Sequence, residues 1–270
     1  MIAPKAEKIT SRIIDYANKD GRWQMPSFVY DMAQKISNNL INSSDIHSQI
    51  DGYFLRGITY FANGEHEDAL TDFESLFDLE LAPSVLSLYI TILLTQGYLE
   101  KADIAYKKYY DTKPSDIPHA SLFTNIILLH RMTLDLDRAK AYIQNYTNRD
   151  LPKRYIELMQ ENLILIEEDL NNIAAANIDK ALVQEVLSVA TRTMGKLGKF
   201  RSTFRTFIHQ PNDDLFISVY TDNIDFELMD ELNESWLEAM INHESNYDFE
   251  EISRVLINFR PDPEGFADVV

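Results

Sequence analysis

The chain has 270 residues, 45% hydrophobic and 25% charged, the composition of a folded globular protein with room for one large domain or two smaller ones. It has no cysteine, which excludes disulfides, thiolate metal sites and a cysteine nucleophile. Its net charge of −18 opposes binding to phosphate backbones and to anionic membrane surfaces.

Residues 1–210 read as helices with short breaks. Apolar residues recur at three and four positions, as in Ile9, Ile13, Ile14 and Tyr16, then Phe28, Val29, Met32, Ala33, Ile36 and Leu40. Helix stop and start signals fall at Asp20-Gly21, Pro26-Ser27, Asn42-Ser43-Ser44-Asp45, Asn63-Gly64, Pro83-Ser84 and Pro114-Ser115. No apolar run approaches the roughly 18–20 residues a bilayer needs. The start, Met1 to Lys8, lacks the apolar core of a secretory signal, so a cytoplasmic protein is expected.

A period runs through the middle of this region. Tyr53, Arg56, Gly57 and Tyr60 precede Gly64, and Ala69 and Phe73 follow. Leu86, Tyr89, Ile90 and Leu93 precede Gly97, then Ala102 and Tyr106. Phe123, Ile126, Ile127 and His130 precede Ala139 and Ile143, and a weaker copy is read from Leu187, Ala190 and Met194 through Gly198 to Thr203 and Phe207. The stretch Pro152–Ala176 is helical but matches poorly. Small residues at fixed places let neighbouring helices approach, and aromatics fill the gaps between.

The pattern resembles the tetratricopeptide repeat, with Tyr53 in the Trp slot, Arg56 as a departure in the Leu slot, and Gly57, Tyr60, Ala69 and Phe73 matching. The other reading is an unrelated array of helical hairpins with the same small-at-contact logic. The resemblance implies a superhelix whose inner groove is lined by the first helix of each hairpin. Carried over, the groove residues are Phe54, Ile58 and Phe61, then Ser84, Ser87, Thr91 and Thr95, then Ser121, Thr124, Leu128, Arg131 and Met132. The family's chaperone-docking members hold peptide carboxylates with Lys and Asn at such places. Arg131 is the only base there, so an apolar segment fits better than an acidic one. The chain's own segments could also fill this groove.

The last segment differs. Leu215, Ile217 and Val219 alternate as a strand; Asp222 can cap a helix with Leu228, Leu232, Trp236 and Met240 on one stripe; Val255, Ile257 and Phe259 form a second strand. A helical crossover predicts a parallel pair. Two strands are too few to stand alone, so they dock on the helices or pair with another chain, as in a homodimer. Residues 211–270 hold 16 acids and 2 bases, Arg254 and Arg260. Val186 to Pro211 holds no acid and five bases, Arg192, Lys196, Lys199, Arg201 and Arg205, which are expected to attract that acidic segment.

Chemical motifs are sparse. Gly195-Lys196-Leu197-Gly198-Lys199 has the wrong spacing for a phosphate loop. The six histidines form no metal-ligand pair, and His130 reads as a core histidine on an apolar helix face. Asp68 with Asp72, and Glu167-Glu168-Asp169, read as solvated faces.

The sequence thus predicts a mostly α protein. Residues 1–210 form a tetratricopeptide-like hairpin superhelix, and 211–270 an acidic strand–helix–strand module with a loose tail. The expected function is non-enzymatic: a scaffold or chaperone-like adaptor holding a protein partner, or a regulator of immunity or anti-defence type acting through the acidic module. No cofactor, metal, nucleic acid or membrane is expected.

Overall fold

A computed structural model describes residue 13 and residues 25–79, 83–112, 120–147, 153–197, 202–209, 214–221 and 224–261. Most of the described residues are helical. The chain divides into two compact units, Met1–Leu122 and Phe123–Val270. The expected tail, Asp262–Val270, and most of the first expected helix lie outside the described residues.

In the first unit α1 (Ser27–Ile41), α2 (Ile46–Ala62), α3 (His66–Leu79), α4 (Pro83–Thr95) and α5 (Leu99–Thr112) pack in sequence. Asp45 caps α2, accepting the Ser48 amide at 2.9 Å. The small residues do what the pattern requires. Ala69 and Ala102 are fully buried, and at Gly57 a Cβ would sit 2.7 Å from the Phe73 ring, itself fully buried. Arg56 is not a defect in its apolar slot. Its Nε and Nη2 donate to the two carboxylate oxygens of Asp72, each at 2.7 Å, and its Nη1 to Asn38 at 2.9 Å. Asp72 is therefore buried, a correction to its reading as part of a solvated face.

One backbone turn recurs through both units. In the first, the Gly64 amide donates to the Phe61 carbonyl (3.2 Å) and the Glu65 amide to that of Tyr60 (2.9 Å). The same two bonds close on Gly97 and Tyr98, on Leu134 and Asp135, and on Asn177 and Ile178. This is the helix-ending turn that needs a left-handed residue. That residue has φ of 80° at Gly64, 68° at Gly97, 50° at Leu134 and 52° at Asn177. These positions step by 33, 37 and 43 residues, so the helical period has a fourth member centred on Asn177.

The second unit contains α6 (Ala120–Met132, from Phe123 on), α7 (Leu136–Thr147), α8 (Lys153–Ala175) and α9 (Lys180–Leu197). Strands β1 (Ser202–His209) and β2 (Asp214–Thr221) follow, then α10 (Phe226–Ile241), α11 (Phe249–Ser253) and β3 (Val255–Pro261). The weaker repeat copy expected from Leu187 to Phe207 is corrected here. Its second half is strand β1, and the hairpin turn lies at Asn177, directly after the stretch Pro152–Ala176 that matches poorly.

The sheet order is β1-β2-β3, with β1 antiparallel and β3 parallel to β2. The parallel pair across the α10 crossover agrees with the sequence expectation. The third strand, absent from that expectation, comes from residues the pattern had assigned to a helix.

Strand β1 lies at an edge, and side chains occupy its outward backbone groups. Asp169 on α8 accepts the Thr206 amide (3.0 Å) and hydroxyl (2.7 Å); Asn172 donates to the Thr206 carbonyl (2.8 Å); Arg131 donates to the Phe204 carbonyl. Arg131 and Asp169 stand 3.9 Å apart, and the guanidinium lies over the Phe204 ring. Both are buried, so Asp169 too is corrected from a solvated face to a strand anchor. Leu215, Ile217, Val219, Val255, Ile257 and Phe259 form the buried sheet face, and Leu232, Trp236 and Met240 of α10 are buried with them.

Candidate functional site

Helix α10 begins at Asp225, which accepts the Leu228 amide at 2.9 Å; the expected cap, Asp222, lies outside the described residues. The acidic segment is tied to α9 and its turn at three places. Tyr247 donates to Asp179 (2.9 Å), Arg254 to the Ala176 carbonyl (2.6 Å), and His243 stands 3.2 Å from Glu185. The Ala181 amide and the Tyr247 hydroxyl both donate to Asp179 and hold its carboxyl below the usual range. These ties are single hydrogen bonds and one His–Glu pair, and none of them uses Arg192 or Lys196 of the expected basic stretch; the side chains of Lys199, Arg201 and Arg205 lie outside the described ones.

A cleft of about 440 Å³ lies between α9 and α10. One wall carries Arg192, Thr193 and Lys196; the other carries Ser235, Glu238, Asn242 and His243; Val189, Leu197 and Ala239 complete it. Among the described residues Lys196 and Glu238 make no ion pair with each other.

The opposite flank of α10 faces solvent. At 3.6 residues per turn, Phe226, Leu237 and Ile241 share a sector about 60° wide, with Asp230 among them. The next sector holds Glu227, Glu231, Glu234 and Glu238. Phe226 is 78% exposed, Leu237 54% and Ile241 80%; with Phe249 of α11 at 82%, they include the three most exposed large apolar side chains among the described residues. From Asp225 to Glu251 the segment carries ten acidic residues and no lysine or arginine.

The groove residues expected from the repeat lie apart from this surface in the chain. Ile58, Phe61 and Ser87 are buried. Phe54 is half-buried, edge-on to Phe73 with ring centroids 6.3 Å apart. Thr91 is half-buried and donates to the Ser87 carbonyl at 2.8 Å; Leu128 is half-buried. Arg131 is committed to Phe204 and Asp169. The side chains of Thr95 and Thr124, like those of Ser84 and Ser121, lie outside the described ones. The sequence signal for this second sector is that Phe226, Leu237 and Ile241 all fall off the Leu232–Trp236–Met240 line.

His130 is buried, 5.7 Å from the Tyr142 ring, and burial pushes it down to about 4. No helix among the described residues is long and apolar enough to cross a membrane, and none of their His, Asp and Glu cluster in threes suited to a metal ion.

No family model, curated protein or solved structure matches the chain.

Proposed function

We propose that this protein is a non-enzymatic, cytoplasmic binding scaffold, an adaptor whose tetratricopeptide-like hairpins form a frame and whose C-terminal module meets a protein partner. One observation carries the reading. The most exposed large apolar side chains, Phe226, Ile241 and Phe249, sit on the one segment that also concentrates the negative charge. Isolated apolar residues on a surface are ordinary, but several on one helix flank suit an interaction face. The burial of Ile58, Phe61 and Ser87 and the internal role of Arg131 favour this face over the groove.

The test uses the full chain, tagged and immobilised, beside a variant carrying Phe226→Ser, Leu237→Ser, Ile241→Ser and Phe249→Ser. These side chains are exposed, so the variant should keep its helical circular dichroism and melting temperature. A partner retained in near-stoichiometric amount by the parent and lost from the variant supports the reading. Equal retention by both folded proteins overturns it. Light scattering of both proteins tells a second copy of the chain from a different partner.

A further inference from the structure

Resting on that adaptor reading, we infer that the outer flank of α10 docks a basic amphipathic helix of about four turns. Phe226 at one end and Leu237 with Ile241 at the other span roughly 22 Å of the helix axis at 1.5 Å per residue, with Asp230 in the same sector between them. These three side chains, 78%, 54% and 80% exposed, are the apolar half of an interface. Glu227, Glu231, Glu234 and Glu238 run beside them as a parallel row of carboxylates. Among residues 224–261 the arginines are Arg254, which donates to the Ala176 carbonyl, and Arg260 on β3, and there is no lysine. Neither lies on α10, which carries no lysine or arginine; of its carboxylate row, Glu238 also lines the cleft with Arg192 and Lys196 of α9, while Glu227, Glu231 and Glu234 stand clear of that cleft.

The complement is a segment with leucine-like side chains on one stripe and lysine or arginine along its edge. A helix suits the site better than an extended strand. The flank of α10 offers side chains only, its backbone groups being bonded within the helix, so an extended segment would leave its own amides and carbonyls unmatched. A helical segment satisfies its backbone internally and lays one stripe against another.

The experiment measures fluorescence anisotropy of a labelled 16-residue Leu/Lys amphipathic helix with the full-length protein. Two control peptides accompany it: one of the same composition with its leucines spread around the helix, and one with glutamine for lysine. The first peptide should bind, and more weakly as salt rises. Replacing Glu231→Gln, Glu234→Gln and Glu238→Gln should weaken it about tenfold. Leu237→Asp with Ile241→Asp should weaken it more than about a hundredfold. Asp68→Asn, Glu100→Gln and Glu161→Gln, which remove the same charge elsewhere, should leave binding within about twofold, as should Ile104→Asp, at an exposed apolar site on α5.

The proposal is overturned if the peptide does not bind, if the scrambled peptide binds as well, or if the distant triple substitution matters as much as the local one. Equal binding of the glutamine peptide through Leu237 and Ile241 overturns the basic chemistry of the partner while leaving the adaptor reading intact. Failure of that broader reading shows separately, as unchanged partner capture by the four-serine variant.

Discussion

Gly57→Ala tests the packing logic on which the helical period depends. A methyl group at this position would stand 2.7, 2.9 and 3.3 Å from three atoms of the Phe73 ring. The ring cannot swing aside cheaply, because Phe73 is fully buried and Phe54 sits edge-on against it. Two effects oppose each other. Alanine is the better helix former by about 1 kcal/mol, whereas overpacking a buried contact costs about 1–3 kcal/mol. The expected net is a loss of about 1 kcal/mol, a lowering of the melting temperature by roughly 2–4 °C. Urea unfolding and amide exchange across Ile46–Leu79 would read it. In a Phe73→Leu background the clash is relieved, so adding Gly57→Ala should then be neutral or stabilising, a coupling seen in the double-mutant cycle. If Gly57→Ala stabilises the parent by about 1 kcal/mol, as at an open helical glycine, the close-approach argument fails.

Other predictions follow from the second unit. His130 stays neutral when folded down to about pH 4, while the unfolded residue protonates near pH 6.5. The unfolded chain then binds the extra proton, so stability falls by ~3 kcal/mol as the pH drops from 6.5 to 4 and flattens below. His130→Leu should remove that part of the pH dependence, and unchanged acid sensitivity in a folded variant would refute it. Asp169→Ala deprives Thr206 of its acceptor and Arg131 of its buried neighbour, an expected loss of about 3–5 kcal/mol by denaturant titration; Arg131→Met with Asp169→Leu should recover much of it. Asn177→Gly should stabilise slightly, and Asn177→Ile should cost about 1–2 kcal/mol, because φ is 52° there. Equal melting temperatures for the two variants would remove the fourth turn from the repeat.

The local signals in the sequence were good guides where they report on neighbours. Gly57, Ala69 and Ala102 mark close helix approaches, and Gly64 and Gly97 mark left-handed turns, because only certain side chains fit such places. Leu134 and Asn177 occupy the same conformation without glycine, so the fourth hairpin had no glycine to announce it. Strand β1 reads as helix from the sequence because Thr203 and Phe207 lie four apart, a spacing that competes with the β-branched and aromatic content of Ser202–His209. The roles of Arg131 and Asp169 depend on a strand that arrives later in the chain, a tertiary fact that no local period contains. The α10 surface is half legible: the four-residue spacing of Leu232, Trp236 and Met240 announces the core stripe, whereas Phe226, Leu237 and Ile241 follow no regular spacing that marks an exposed one.

The anchoring of β1 has a kinetic side. Arg131 meets a carbonyl 73 residues further on, and Arg254 reaches back 78 residues to Ala176. In the first unit, by contrast, Arg56 finds Asp72 after 16. Contacts of long sequence separation form slowly because large loops must close first. The amides of α2 and α3 are therefore expected to gain protection early in refolding, and those of β3 late, which pulse-labelled hydrogen exchange can order in time. A nascent chain can then complete its helical frame while the strands that finish its last unit are still unpaired.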